Sequence, residues 1–449
     1  MELTLIGSVV IALGFVLSLA SLQRLVQCIV FFASFSGTAV MNFGDYGMAP
    51  DVVLLACLLF GSLLSGRIMV RARVSQDLLI ADFLLLVFTS ITVVSFLING
   101  AIHGLASLQV TQSIYLLFGI CLTLVLSVEL STQERLEGGV RALRASAVFI
   151  SLWGLFQAAC FYTGAEYPAF LFNNSQSHFA DMYDQRAADG VVRIASVATE
   201  PSFMALSLMI FGSFGATVIA LDPARRTAGW LLSVGLTLAT VALSTSSTGY
   251  FGLLVLGLLL MRRRPMFAAG IFAGIAVIGG LYIASVPSAR DALYNMTLGK
   301  LDRGSYLERS STFGPAIEAF QRHPFFGAGW GTDFSYSLVT QMLANVGLVG
   351  TAAFLIAGGA TLAASRSARR NPGAAAQHLA VYAEAAENAF VVYLAESVVS
   401  GFKYVVADFW CLWAFTLAVP CCIVLARKDM KVSMATTNRW QSKPLTGDT

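Results

Sequence analysis

The residues of this chain best suited to chemistry are three arginines, a glutamate and a histidine set at the margins of long apolar runs. Arg309, Arg322 and His323 fall in RSSTFGPAIEAFQRHPFFGAGWGTDFSYSLVTQMLANVGLVG, residues 309–350, and Arg193, Glu200 and Ser202 fall in RIASVATEPSF, residues 193–203. Arg309 stands among hydroxyls (Ser305, Ser310, Ser311), a setting that suits two-pronged binding of a phosphate. An ion pair with Glu308 or Glu318 is the competing assignment. Pro201 belongs in a first helical turn, so Glu200 falls at a helix N-terminus, which favours its ionised form. It is there either as a capping carboxylate paired with Arg193 or as a group that takes part in a reaction. Residues 315–322 suit a helix that Pro324 ends just after His323. Arg322 and His323 therefore sit where a helix C-terminus favours positive charge in any case. Gly327, Gly329 and Gly331 let the backbone turn sharply and come close to a neighbour or ligand. Trp330, between them, is either an interfacial anchor or a platform for a sugar ring. FGAGWG is not a dinucleotide fingerprint, because no strand precedes it and the spacing is wrong.

The elements that must position these residues are membrane helices. The chain is 57% hydrophobic and 12% charged with a mean hydropathy of +0.74, where soluble domains run near roughly 25% charged. Apolar runs long enough to cross a hydrocarbon core of about 30 Å recur from end to end. Candidate spans are 2–22, 26–43, 51–66, 77–98, 110–130, 145–164, 202–221, 228–244, 249–261, 266–286, 338–363, 380–399 and 408–426, so the expected fold is an all-α polytopic bundle of eleven to thirteen helices. The first run lacks a basic leader and a small-residue cleavage site and is expected to be retained as a span. Arginines and lysines cluster in every second connection: Arg24, Arg67/Arg71/Arg73, Arg135/Arg141/Arg144, Arg225/Arg226, Arg262–Arg264, Arg366/Arg369/Arg370 and Arg427/Lys428/Lys431. With Arg439 and Lys443, 20 of the 28 Lys and Arg lie on one side, which the positive-inside rule makes cytoplasmic.

The chain then divides into N-terminal helices (1–164), an external loop with the Glu-Pro-Ser segment (165–201), central helices (202–286), a large external loop (287–337), C-terminal helices (338–426) and a cytoplasmic tail (427–449). Two long polar loops on one face of a helical scaffold are the natural home of function. Asp82, Glu384, Glu387, Asn388 and Glu396 would be costly facing lipid and are expected to line a cleft or, for Glu384 and Glu387, the cytoplasmic edge. The STSSTG turn at Ser244–Gly249 could add hydroxyls to that cleft. The seven cysteines lie in or beside apolar runs and read as small core residues. No Cys/His spacing and no carboxylate pair in the external loops suggests a metal, and nothing suggests nucleic-acid binding. A transporter predicts broken helices and paired mid-membrane charges in two related halves, and no internal repeat is evident.

Two stretches carry a family resemblance: HPFFGAGWG followed by QMLANVGLVG, and RIASVATEPSF. They resemble the hallmark loop and helix of the O-antigen ligase/polymerase (Wzy/WaaL-like) superfamily and the segment common in its exopolysaccharide-polymerase branch. The likeness is specific over 193–215 and 309–352 and elsewhere rests on topology. It implies a GT-C-like, metal-independent glycosyltransferase without a cofactor, working on undecaprenyl-diphosphate-linked oligosaccharide at the periplasmic face of a bacterial inner membrane. A flippase and a chain-length regulator are the implied protein partners. By the resemblance Arg309 binds the diphosphate with Arg193 in support, and Glu200 is the candidate base or acceptor-orienting group. Arg322, Ser202 and Trp330 are candidate substrate contacts. The ligase branch places a His-Asn pair just after the glycine turn, where this chain has Phe334-Ser335-Tyr336-Ser337; that favours a polymerase and leaves His323 as a weak substitute for the missing histidine.

Overall fold

A computed structural model describes residues 2–44, 46–66, 75–104, 107–176, 193–285, 310–372 and 376–441. Each expected span contains a helix: α1 (Leu5–Ala20), α2 (Leu22–Phe32), α3 (Pro50–Leu64), α4 (Gln76–His103), α5 (Ser107–Glu129), α6 (Gln133–Thr163), then after a short α7 (Ala169–Phe172) come α8 (Pro201–Leu221), α9 (Ala228–Leu243), α10 (Ser247–Met261) and α11 (Pro265–Ser285). The amphipathic α12 (Phe313–Arg322) precedes α13 (Leu338–Arg370), α14 (Gln377–Ser400) and α15 (Ala407–Gln441). Among the described residues seven helices are long and apolar enough to cross a membrane, and α1, α2, α3, α9 and α10 are shorter apolar helices. The chain is a multi-pass, essentially all-α membrane protein.

Two expectations need correction. The span 26–43 is not one helix: α2 ends at Phe32, and Met41–Phe43 instead forms the middle strand of a small antiparallel sheet with Glu2–Leu3 and Tyr46–Met48. The residues between, SFSGTA, are poor helix formers, and they hold the segment that precedes α8. Gly37 N–H donates to Val197 O (2.9 Å), Thr199 N–H to Ser36 Oγ (3.4 Å) and Thr38 Oγ1 to Phe172 O (2.7 Å). The second correction is that α13 is two helices. Gly347 breaks it with φ 64° and ψ −166°.

The break is satisfied from outside, as membrane depth demands of any non-helical backbone. Ala344 O and Asn345 O accept from the N–H groups of Ala328 (2.7 Å) and Gly329 (3.1 Å), and the N–H groups of Leu348 and Val349 donate to Pro324 O (2.8 Å) and Phe325 O (3.1 Å). Asn345 also ties down Asp333, donating from Nδ2 to its carbonyl at 2.7 Å, and Ser95 of α4 donates to Phe326 O at 2.6 Å. The glycine-rich loop is thus docked into the broken helix.

Long-range contacts gather several of the connections into groups. Glu2, Asn42, Asn174, Gln176 and the 195–199 segment meet in one group, and separately Gln109 of α5 donates to Thr332 at 2.8 Å. In another, arginine-rich group Arg225 pairs with Glu137 (2.8 Å), Arg263 with Glu384 (3.3 Å), and Arg369 with both Glu384 and Glu387. A cavity of about 270 Å³ lies there among Arg263, Arg366, Arg369, Glu384 and Glu387. Glu384 and Glu387 therefore belong to that group's ion pairs. Glu396 lines no open cleft: it is fully buried, and a Cβ at Gly252 of α10 would run into its carboxylate. Asn388 donates to Thr217 of α8 at 3.1 Å. At the centre stands α8, buried at nearly every position and packed by α14, α9 and α10.

Candidate functional site

The site face is built around the entry to α8. Residues 194–199 are buried and clamped from three sides. Gln157 of α6 accepts from the N–H groups of Ala195 (3.0 Å) and Ser196 (2.8 Å), Ser196 Oγ donates to Ile150 O (2.7 Å), and Asn173 Nδ2 donates to Ser196 O (2.9 Å). These bonds hold Ser196 at φ 53°, in the left-handed region. Among the described residues the other non-glycine with positive φ is Thr245 (φ 54°), in the STSSTG turn. Such conformations cost about 1–3 kcal/mol each and persist where the surroundings enforce them, often at functional sites.

Arg193, part-buried, begins the clamped segment. At the other end of the segment, Glu200 occupies the N-cap position of α8 in extended conformation (φ −139°, ψ 154°). Its carboxylate makes no capping bond. It accepts instead from Ser202 Oγ at 2.9 Å, so Ser202 is Glu200's partner rather than a free hydroxyl. A carboxylate kept off the helix amides keeps lone pairs for a ligand.

The glycine loop turns sharply and comes close to a neighbour, as its sequence suggests. Gly327, Gly329 and Gly331 all have positive φ, and a Cβ on each would meet, respectively, the backbone of Asn345 and Val346, the side chain of Asn99, and Gln112. The close neighbour is the protein itself. Trp330 is buried to 2% exposure: its indole N–H donates to Gln112 O at 3.3 Å and its ring lies 4.6 Å from that of Tyr404. It is a core residue and neither an open sugar platform nor an interfacial anchor. Arg322 and His323 do end α12, with His323 as its C-cap, and both are exposed. Arg322 pairs with Glu318 one turn back. Arg309, the residue most expected to bind phosphate, lies outside the described residues, as do 177–192 and 286–308.

Sequence reasoning missed two groups. Lys403, in the connection between α14 and α15, has its ammonium 4.1 Å from the Phe203 ring, with Tyr336 and Phe334 at 5.5 and 5.7 Å. Its only signal was position: it is a lone cation in a short connection on the face poor in cations. Asp333 follows the glycine loop, and burial pushes its carboxyl above the usual carboxylate range. Tyr336 links these to the stretch after Arg309, its N–H donating to Thr312 Oγ1 at 3.4 Å. No group of three or more His, Cys, Asp or Glu close enough to hold a metal occurs among the described residues. Compared with protein-family models and with curated proteins, the chain matches none.

If Glu200 handles a proton, Glu200→Gln lowers turnover by roughly 10²–10⁴-fold with little loss of stability, because no capping bond is lost. Ser202→Ala, which removes one hydrogen bond to that carboxylate, lowers it by only about tenfold or less. Initial rates and thermal midpoints of the two purified variants check the contrast.

Proposed function

We propose that this protein is a membrane glycosyltransferase of the polymerase type, joining oligosaccharide repeats carried on a polyprenyl (undecaprenyl) diphosphate at the periplasmic face of a bacterial inner membrane. The observation that carries the reading is the rigid 193–203 segment: it presents a cation, Arg193, and a carboxylate with lone pairs to spare, Glu200, at the mouth of the central helix. The chemistry asked of the site is the transfer of a glycan from its diphosphate to the terminal hydroxyl of another. The bond between the anomeric carbon and the diphosphate oxygen breaks, a glycosidic bond to the acceptor oxygen forms, and the acceptor's proton leaves. Arg309 and Arg193 offset the charge left on the diphosphate. Glu200 takes the proton or orients the acceptor. GT-C-like architecture belongs to the same proposal.

A transporter is the second reading, and two observations favour it: the broken helix at Gly347 and the fully buried Glu396, whose carboxylate oxygens have no hydrogen-bond partner. What supports the polymerase reading against it is the use made of the break. In transporters the half-helix ends face a substrate; here the backbone groups at 344, 345, 348 and 349 are taken by 324–329. Ligase activity is the alternative within the enzyme class.

Analysis of lipid-linked intermediates in a strain lacking the gene separates the three. The polymerase reading expects single diphosphate-linked repeats to accumulate on the outer leaflet. Full-length undelivered polymer would mean a ligase, and repeats confined to the cytoplasmic leaflet would mean a transporter.

A further inference from the structure

A charged cavity that the proposed reaction does not use lies where α10 and α13 end and α14 begins. Arg262, Arg263, Arg366, Arg369, Glu384 and Glu387 line its volume of about 270 Å³, four cations against two anions. The two carboxylates are shared: Glu384 pairs with Arg263 and Arg369, and Glu387 with Arg366 and Arg369. Arg262 joins none of these pairs. Arg263 and Arg366 pair through Nε alone, at 3.3 and 3.5 Å, and both side chains are more than half exposed. A guanidinium carries five N–H donors, so the forked ends of these two remain available. The Nε of Arg369 is buried and meets no hydrogen-bond acceptor. The cluster thus has both charge and donors in excess of what its own carboxylates take up. Below the charges the walls are apolar. Leu259 and Val391 complete much of the lining, and Val398, two turns beyond Val391 on the same face of α14, is exposed. Leu258 of α10, one turn before Arg262, and Leu355 of α13, three turns before Arg366, are exposed on the faces that carry those arginines. Both helices pack on α14.

We infer that this cavity binds the headgroup of an anionic membrane phospholipid, its phosphate on Arg262, Arg263 and Arg366 and its acyl chains along the apolar faces of α10, α13 and α14. Arginine's fork matches phosphate oxygens, and basic pockets between membrane helices take anionic headgroups. The two positive charges in excess suit a lipid with two phosphates, cardiolipin. This site does not depend on the proposed reaction.

The test uses the full-length protein in dodecyl maltoside, titrated with cardiolipin and read by native mass spectrometry and by thermal midpoint. The double variant Arg262→Gln/Arg366→Gln removes two charges and leaves Arg263 and Arg369 to balance the two glutamates, so the helices keep their ion pairs. Arg264→Gln/Arg370→Gln removes the same charge from two exposed arginines that do not line the cavity. The wild-type protein is expected to hold cardiolipin and gain thermal stability from it. Arg262→Gln/Arg366→Gln is expected to bind it about 10- to 100-fold more weakly, with an unchanged midpoint in lipid-free detergent. Arg264→Gln/Arg370→Gln keeps affinity within a few-fold. Unchanged affinity in the first double variant overturns the inference. Equal weakening in both overturns it too, because that marks general surface charge. If the first variant is less stable without lipid, Arg262→Gln alone decides, since Arg262 joins none of the ion pairs. Weaker binding at an unchanged midpoint then supports the site, and unchanged affinity or a lowered midpoint overturns it. Phosphatidylcholine bound as tightly as cardiolipin also overturns it. Glycerol 3-phosphate bound as tightly as cardiolipin would make the ligand a soluble phosphate, and the lipid assignment fails.

Discussion

Arg309→Ala is expected to abolish polymer formation while the protein remains in the membrane at its normal level. Transfer from a diphosphate leaves charge on the departing oxygens, and removal of one preorganised donor to such charge costs roughly 10²–10³-fold in rate. Repeated over every addition, a loss of that size removes long polymer altogether. Arg309→Lys should be intermediate, because lysine keeps the charge and loses the forked geometry that grips two oxygens. The residues just after it support a role at the site: Ser310, Ser311 and Thr312 lead into α12, and Thr312 Oγ1 accepts from Tyr336, one of the rings around Lys403. Polymer length on a gel, beside membrane-fraction immunoblots, reads both halves of the prediction. A variant that elongates at the wild-type rate removes Arg309 from the site.

Gly327→Val is expected to be the most damaging single change to the fold. Gly327 sits at φ 72°, and a Cβ there would collide with the backbone of Asn345 and Val346, where no side chain can swing aside. Conformational strain of about 1–3 kcal/mol and overpacking of about 1–3 kcal/mol fall on one position. The loop would then be displaced from the break in α13, leaving buried amides and carbonyls at 344–349 unpaired, each a further cost in a membrane. Loss of the monodisperse peak in fluorescence-detected size exclusion is the expected result. Gly314→Ala in α12, where a Cβ would meet nothing within 4 Å, serves as the control and should behave as wild type. Equal behaviour of the two variants would show that the loop is not wedged into the helix.

Both expectations join residues that the bare sequence only partly connects. The helices and their alternation were legible, because twenty apolar residues in a row and arginines in every second connection are local signals. Several arginines of those connections are ion-paired: Arg225 with Glu137, and Arg263 and Arg369 with Glu384. Distant partners decided the failures. SFSGTA following α2 is apolar enough to pass for a helix end, but its hydrogen bonds go to Phe172, Val197 and Thr199, more than a hundred residues away. Gly347 looks like any glycine in a membrane helix until the loop twenty residues earlier is seen to fill the break. Trp330 reads as an interfacial aromatic because no local feature announces that Tyr404 and Phe88 cover it. Lys403 was passed over for the same reason, as its three rings come from α8 and from the segment after the glycine loop. The Glu-Pro-Ser segment was legible as a helix start. That its carboxylate declines the capping bond and takes Ser202 instead was not.

The central claim is that this face of the bundle hands a glycan from one lipid diphosphate to another. The most direct measurement is elongation by the purified protein in nanodiscs supplied with synthetic polyprenyl-diphosphate-linked repeats, with products resolved by length. The account predicts a ladder of polymers and free polyprenyl diphosphate in equal molar steps, lost in Arg309→Ala. Repeats that remain single with the wild-type protein under these conditions would contradict it.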